Sequence, residues 1–349
     1  IGFVSGYQIC DKPTLESSGL RLEFDPLTSK INKTSSDLIS GTRFIFPWAK
    51  DPKSKTRIKL GETIFSDDDQ IRVRIDIKNV LSKSLLFLKN VRVGTLKENG
   101  REIFKCVINR DSDQTLVTYL PKNDSEKWHI IESSISKFEE EKIYKSFPEI
   151  EKDKRNKKVF VSLNLQDDYD KEGLIYAFLP TQESTFLPIN INADFYPESS
   201  RKKVIWEGKG KKDWNELLIR TAADSLVNDL AKIERLVGQN NFWKLITKSK
   251  ELSENNSEGK WYDAFWNKMY EKVPNSLILK GEKADLLRPS ESFFYPKWAQ
   301  SKHINLFDEL GILIANKEIS YQYGEVLNEL QCQHLVLDTF VDRLGAIED

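Results

Sequence analysis

The hydrophobic pattern of this chain changes its period near residue 213. Upstream of it, short segments alternate apolar and polar residues with period two, the pattern of strands that bury one face. These are L-R-L-E-F at 20–24, T-R-F-I-F at 42–46, E-I-F-K-C-V-I at 102–108, T-L-V-T-Y-L at 115–120 and K-V-F-V-S-L-N-L at 158–165. S-L-L-F-L-K-N-V-R-V (84–93), K-W-H-I-I (127–131) and L-I-Y-A-F-L-P (174–180) extend the series at the spacings of a mixed sheet. Downstream, Trp214, Leu217, Leu218, Ala222, Leu226 and Leu230 recur on one helical stripe that runs on to Val237, with Asp213 and Glu216 as a capping pair. Strands first and helices last predict an α+β fold.

Within that pattern, residues 66–81 (S-D-D-D-Q-I-R-V-R-I-D-I-K-N-V-L) admit two readings. R-V-R-I-D-I alternates like a strand, while acidic residues behind Ser66 suit a helix N-terminus. The helix is preferred, because Ile71, Ile75 or Ile77, and Leu81 share one face. Residues 25–40 are polar and loop-like, and the mixed-charge run 139–158 is expected to be a solvated insertion. Amphipathic segments are expected at 261–273 and at 325–344, where Leu330, Leu337 and Leu344 repeat, and all these stripes are expected to form helical core. At 349 residues the chain is long enough for two or three units. A basic, proline-containing connector at 50–59 places one boundary near residue 64. The expected units are 1–64, a middle α/β domain at 65–210 and a mainly helical domain at 211–349.

Composition bounds the function. Apolar residues make up 39% and charged residues 31%, with 8 Trp, 19 Phe and 11 Tyr, enough for substantial cores. Net charge is −1, so any nucleic-acid contact must come from a local basic stripe rather than a global field. No apolar run approaches the ~18 residues that span a bilayer. Three dispersed cysteines, Cys10, Cys106 and Cys332, argue against a disulfide framework and for a reducing, cytoplasmic setting. Cys332 and His334 alone do not make a closed zinc shell, so no metal ligand set is assigned.

The first residues, I-G-F-V-S-G-Y-Q-I-C-D-K-P (1–13), resemble the second glycine box of the GHKL ATPases, the superfamily of gyrase, heat-shock-90-type chaperones, histidine kinases and MutL. In the chaperones and in sacsin the box reads G-(V/I)-G-F-x-S-x-Y and runs on into an Asp- and Pro- or Lys-containing segment. Ile1, Gly2, Phe3, Ser5, Tyr7, Asp11 and Pro13 match, and Val4 and Gly6 differ. S-G-L-R-L-E-F-D-P (18–26), G-T-R-F-I-F-P-W (41–48), S-L-L-F-L-K-N-V-R (84–92) and D-W-N-E-L-L (213–218) resemble successive elements of sacsin-like repeats. So do the segment 185–206, S-E-S-F-F-Y-P (290–296) and F-D-E-L-G-I-L-I (307–314). The resemblance therefore follows nearly the whole chain in order.

It implies the end of a GHKL α/β sandwich, then a mixed-sheet middle domain, then a helical domain. Glycines at a helix start let backbone N–H groups approach phosphate, and the resemblance places Gly2, Phe3 and Ser5 at the triphosphate of ATP. Gly41 and Thr42 correspond to the last nucleotide-pocket element. Arg201 or Lys202 is the counterpart of the basic residue that the middle domain directs at the γ-phosphate, although Ala193 stands where the chaperones carry an arginine. At the residues themselves other readings stay open: an ordinary helix start for Gly2 and Phe3, and a structural strand threonine for Thr42. For the six cations between 201 and 212 a solvated loop and a nucleic-acid contact stay open.

The superfamily's glutamate that activates water, its magnesium-holding asparagine and its adenine loop are not found in residues 1–349. The Mg²⁺ ligand is thus expected outside this segment, which by itself is not expected to hydrolyse ATP. The function implied is an ATP-driven conformational machine of the sacsin and heat-shock-90 type acting on client or partner proteins, with a homo-oligomer allowed and no membrane partner. The alternatives are a GHKL module of a DNA-linked or anti-phage defence system that controls a nuclease or clamp, and a scaffold whose ATPase has decayed.

Overall fold

A computed structural model of the chain describes residues 4–98, 100–111, 114–153, 156–166, 169–255, 261–283, 285–300 and 303–345. The fold is α+β, with a large mixed sheet and helices. The chain divides into two compact units, Ile1–Leu81 and Ser82–Asp349.

The first unit is built on four antiparallel strands in the order β3-β2-β1-β4: β1 (Thr14–Ser17), β2 (Leu20–Asp25), β3 (Lys30–Ser35) and β4 (Thr42–Ile45). β2 and β4 fall where period-two patterning places them. β3 lies inside the segment expected to be a loop: in K-I-N-K-T-S every residue is exposed, so no apolar face marks the strand. A 3-10 turn (Val4–Gln8) precedes the sheet, and helix α1 (Lys55–Leu60) follows it. Helix α2 (Asp67–Ser84) agrees with the preferred reading of residues 66–81. Its start is set by a reciprocal box: the Asp69 backbone N–H donates to Ser66 Oγ (3.1 Å) and the Ser66 N–H donates to Asp69 Oδ2 (3.0 Å).

The second unit carries an eight-stranded sheet. Its strands are β5 (Val93–Glu98), β6 (Arg101–Arg110), β7 (Thr115–Leu120), β8 (Asp124–Ser134), β9 (Lys158–Asn164), β10 (Leu174–Ala177), β11 (Leu179–Ser184) and β12 (Ile189–Asn192). The order is β11-β10-β12-β9-β8-β7-β6-β5, and only the β10–β12 pair is parallel. S-L-L-F-L-K-N-V-R-V does not form the strand expected of it. Leu85–Phe87 is a 3-10 turn and β5 begins only at Val93, because Leu85 and Leu86 are buried as a cluster rather than alternately. L-I-Y-A-F-L-P likewise splits into β10 and β11 at Phe178, which has φ 65°.

One face of the sheet packs on helices. Val159, Val161 and Leu163 of β9 and Ile189 and Ile191 of β12 join one apolar cluster with Trp214, Leu218 and Ala222 of α5 (Lys211–Asn228). Helices α3 (Lys137–Ser146) and α4 (Pro148–Asp153) occupy the run expected to be a solvated insertion. Ile143 and Ile150 are buried in that same cluster, and buried Glu140 pairs with Lys157, so the charge there borders core. Helix α5 begins before Asp213. Gly210 is its cap residue, and Asp213 Oδ2 accepts the Gly210 N–H at 2.7 Å from the third helical position.

Helix α6 (Leu230–Glu254), interrupted at Gly238, and α7 (Tyr262–Lys272) complete the packed helices. Beyond them lie four short helices, α8 (Ile304–Glu309), α9 (Lys317–Gln322), α10 (Gly324–Glu329) and α11 (Leu337–Gly345). The amphipathic segment expected at 325–344 is therefore two helices, broken at Gln331 with φ 70°. Of its repeating leucines Leu330 is fully buried while Leu337 is 58% exposed.

Candidate functional site

In the first unit, the structure brings together the segments that carry the nucleotide-pocket resemblance. The turn Val4–Gln8 abuts the residues that follow β4: a Cβ placed on Gly6 would lie 2.5 Å from the Phe46 ring, so the aromatic ring occupies the space a side chain would need. The Ala49 N–H donates to the Ile9 carbonyl (2.9 Å) and Cys10 forms a bridge with Trp48. Gly6, a departure from the resembling box, is thus explained by its neighbour in the second motif.

A single arginine fastens this arrangement. Arg57 of α1 is 2% exposed, and its guanidinium donates to the carbonyls of Tyr7, Gln8 (3.2 Å) and Cys10 (2.9 Å) and to Asp11 Oδ1 (2.6 Å). Five donors in a fixed fork suit this task, which the point charge of lysine could not perform. Burial, reinforced by the Asp11 charge, pushes the Cys10 thiol up to about 11, so it stays protonated. In the sequence Arg57 belongs to the basic connector 50–59, where nothing distinguishes it from its charged neighbours. Only its place between two resembling motifs could have singled it out.

Gly2 and Phe3 lie outside the described residues, and for Ser5 only the backbone, within the 3-10 turn, is described. Thr42 opens β4 opposite Ser17 of β1, is exposed, and has its Oγ1 3.2 Å from Ser17 Oγ. Ser17 Oγ also lies 3.2 Å from the Gly41 carbonyl, which it can engage as donor. Beside this pair, buried Glu16 is held between Arg21 (2.9 Å) and Arg43 (3.1 Å), its cross-strand neighbours on either side. The row borders a polar recess of about 280 Å³.

In the second unit Arg201 and Lys202 sit at the tip of a turn closed by the Pro197–Val204 bridge, and both are exposed. Arg201 has φ 57° and its N–H donates to the Glu198 carbonyl (2.9 Å); the Lys202 carbonyl accepts from Gln182 N–H (2.8 Å). Asn215 anchors the base, its amide bridging the carbonyls of Tyr196 (3.1 Å) and Ile205 (2.9 Å). Of the other cations, Lys211 lies over the Tyr196 ring and Lys212 faces Glu216 at 3.6 Å. The stretch thus presents Arg201, Lys202, Lys203 and Lys209 to solvent.

The sheet face opposite the packed helices carries a cavity of about 280 Å³ with Leu86 among its lining residues. Phe87 covers the neighbouring Tyr176, ring to ring at 4.8 Å. Glu126 of β8 stands in the cavity wall, and its Oε2 accepts from Tyr119 Oη (2.8 Å) and Trp128 Nε1 (3.1 Å). Gly173 belongs to the same wall, where a Cβ would come within 1.8 Å of the Ile189 carbonyl oxygen, so no other residue fits that approach. Glu126 is not singled out in the sequence, because it stands in the charged run K-N-D-S-E-K at the start of β8.

Among the described residues no group of three or more His, Cys, Asp and Glu is placed to hold a metal ion, and no helix is long and apolar enough to cross a membrane. No family model matches the chain, and no curated protein matches it.

Proposed function

We propose that the chain forms the closing edge of a GHKL-type nucleotide pocket joined to a mixed-sheet middle domain, and that it works as an ATP-driven conformational switch of the sacsin and heat-shock-90 type. The observation that carries this reading is the seating of the opening turn on the segment after β4, with Gly6 against Phe46 and Arg57 holding the carbonyls of Tyr7 and Gln8 in the turn and of Cys10 just after it. Two segments that share a pocket in the resembling proteins are neighbours here and are rigidly tied.

Holding the carbonyls of the turn fixes its backbone, and a fixed backbone is what a phosphate-binding turn needs to receive its ligand without reorganisation. In the proposed reading Gly2, Phe3 and Ser5 face the triphosphate, Gly41 and Thr42 border the adenine side, and Arg201 or Lys202 reaches the γ-phosphate when the pocket closes. In this reading the water-activating glutamate and the asparagine for Mg²⁺ would have to be supplied by residues other than 1–349. Binding energy for ATP would then favour one arrangement of the domains over another, which is how such a switch reaches its client proteins.

The test is ATP binding and turnover by a polypeptide that includes the remaining pocket residues. Thr42→Val is expected to weaken binding about tenfold, the cost of one hydrogen bond to a buried polar ligand. Arg201→Ala is expected to lower turnover while leaving binding close to unchanged. Absence of ATP binding, or full affinity in Thr42→Val, overturns the pocket assignment; unchanged turnover in Arg201→Ala removes the sensor role.

A further inference from the structure

We propose that the sheet-face cavity of the second unit binds a small organic cation, its ammonium or guanidinium group seated on the Glu126 carboxylate against the rings of Trp128 and Tyr176. The cavity lies entirely within residues 83–190, so this inference is independent of the nucleotide reading.

The carboxylate is oriented but not neutralised. Both of its hydrogen bonds come from neutral donors, Tyr119 Oη and Trp128 Nε1, and both fall on Oε2. Among the described residues no lysine or arginine pairs with Glu126, whereas buried Glu16 and Glu140 are paired with cations and buried Glu234 accepts from the neutral amide of Gln239. A partly enclosed carboxylate without a counter-charge is costly, and a bound cation would remove that cost.

The walls suit the same guest. Indole and phenol faces attract cations, most strongly where water is excluded, and quaternary ammonium groups are recognised this way. The cavity's negative field is visible in its neighbours: burial first, and the Glu126 charge second, push the phenols of Tyr119 and Tyr176 upward, so both remain neutral hydrogen-bond groups. An anion entering the cavity would meet that field.

Size and rim narrow the class further. About 280 Å³ is at the lower limit of small-molecule pockets and excludes a nucleotide. The remaining charged groups of the lining, Lys83, Lys171 and Glu172, are exposed at the mouth, where water and salt screen them. With Glu126 the one carboxylate set inside the cavity among the lining residues, a ligand with a single cationic head fits better than an extended polyamine. Asn190 contributes no competing charge: its side chain is engaged with Ser162 Oγ (3.2 Å) and Leu174 N–H (2.9 Å).

The experiment is titration of the full chain with choline and with its uncharged carbon isostere, read by calorimetry and by the indole N–H resonance of Trp128. Choline is expected to bind about tenfold or more tightly than the isostere and to shift the Trp128 signal, as expected of a desolvated cation–aromatic contact. Glu126→Gln keeps an acceptor for Tyr119 and Trp128 but removes the charge, and is expected to lose about tenfold in choline affinity with its melting temperature nearly unchanged. Equal affinity for choline and the isostere, no binding of choline or butylguanidine, or preferential binding of acetate or phosphate overturns the proposal. The wild-type comparison decides the matter even where the variant fails to fold.

Discussion

At the residue scale, Arg57 shows how one side chain can determine the geometry of a turn. It is 2% exposed, it neutralises Asp11, and it satisfies the backbone carbonyls that a tight 3-10 turn leaves without partners. Removing it leaves the Asp11 carboxylate, about a quarter exposed, and several carbonyls without their donor at once. Arg57→Ala is therefore expected to destabilise the first unit by about 2–4 kcal/mol, the scale of leaving several backbone carbonyls without their hydrogen bonds. Arg57→Lys is expected to recover only a minor part, since an ammonium cannot span the same acceptors. Urea denaturation of both variants checks this, and a loss well under ~1 kcal/mol in Arg57→Ala would show that solvent replaces its bonds. Neither this role nor that of Glu126 was legible in the sequence. Both residues stand in charged, turn-rich stretches, and what separates them from solvated neighbours is burial created by distant segments.

At the element scale, the sequence was legible wherever one face of an element is buried. β6, β7 and β9 show the alternation because their two faces meet different surroundings, and α5 shows its stripe because its core face is continuous. Legibility failed where that contrast is missing. β3 is exposed throughout, and α3 and α4 bury Ile143 and Ile150 beneath a surface dense in charge. Helix α2 was legible through its ends instead. The Ser66–Asp69 box satisfies its first donors, and the hydrogen bonds from the Ser66 hydroxyl and N–H lower the Asp69 pKa from its ordinary value.

The sign of the pH dependence follows. Because the folded-state pKa of Asp69 is depressed, its contribution is complete above the unfolded value of about 3.9 and is lost as pH falls through the lower folded value. Ser66→Ala should destabilise α2 by about 1 kcal/mol at neutral pH. The gap between wild type and variant should narrow below about pH 4, measured as helix loss on acid titration by circular dichroism. A gap that stays constant to pH ~2 would assign the effect to the serine hydroxyl alone.

At the scale of the whole molecule, the two units differ in how much they bury. The first leaves Ile31 58% and Phe44 54% exposed on its strands, whereas the second encloses Trp214, Trp243, Phe242 and Phe265 almost completely. Small, half-open units are marginal, and large enclosed cores are not. Heating is therefore expected to give two transitions, that of residues 1–81 first. The second unit also has a polar tie: the Lys250 side chain, 4% exposed, reaches from α6 to Glu325 (2.7 Å) and Glu329 (2.9 Å) of α10 and to Glu254 (3.3 Å).

Burial works to lower the Lys250 pKa, but the hydrogen bonds to Glu325, Glu329 and Glu254 outweigh it and the net shift is upward. Its contribution is then complete below the unfolded lysine value of about 10.4 and is lost only as pH rises through the higher folded value. Glu325 is depressed by the same bond, so its share is complete above about pH 4.3 and is lost as pH falls. Lys250→Met, which keeps the stem volume and removes the charge, is expected to lower the second transition by about 2–4 °C per kcal/mol lost and to flatten its dependence on pH at both ends. The partners of Lys250 all lie between residues 254 and 329, and those of Arg57 between residues 7 and 63. Each variant is accordingly expected to move its own transition and leave the other in place. Calorimetry resolves the two, and a single transition displaced equally by Arg57→Ala and Lys250→Met would mean that the units unfold as one cooperative body, with energetic coupling of the kind an ATP-driven switch would have to overcome.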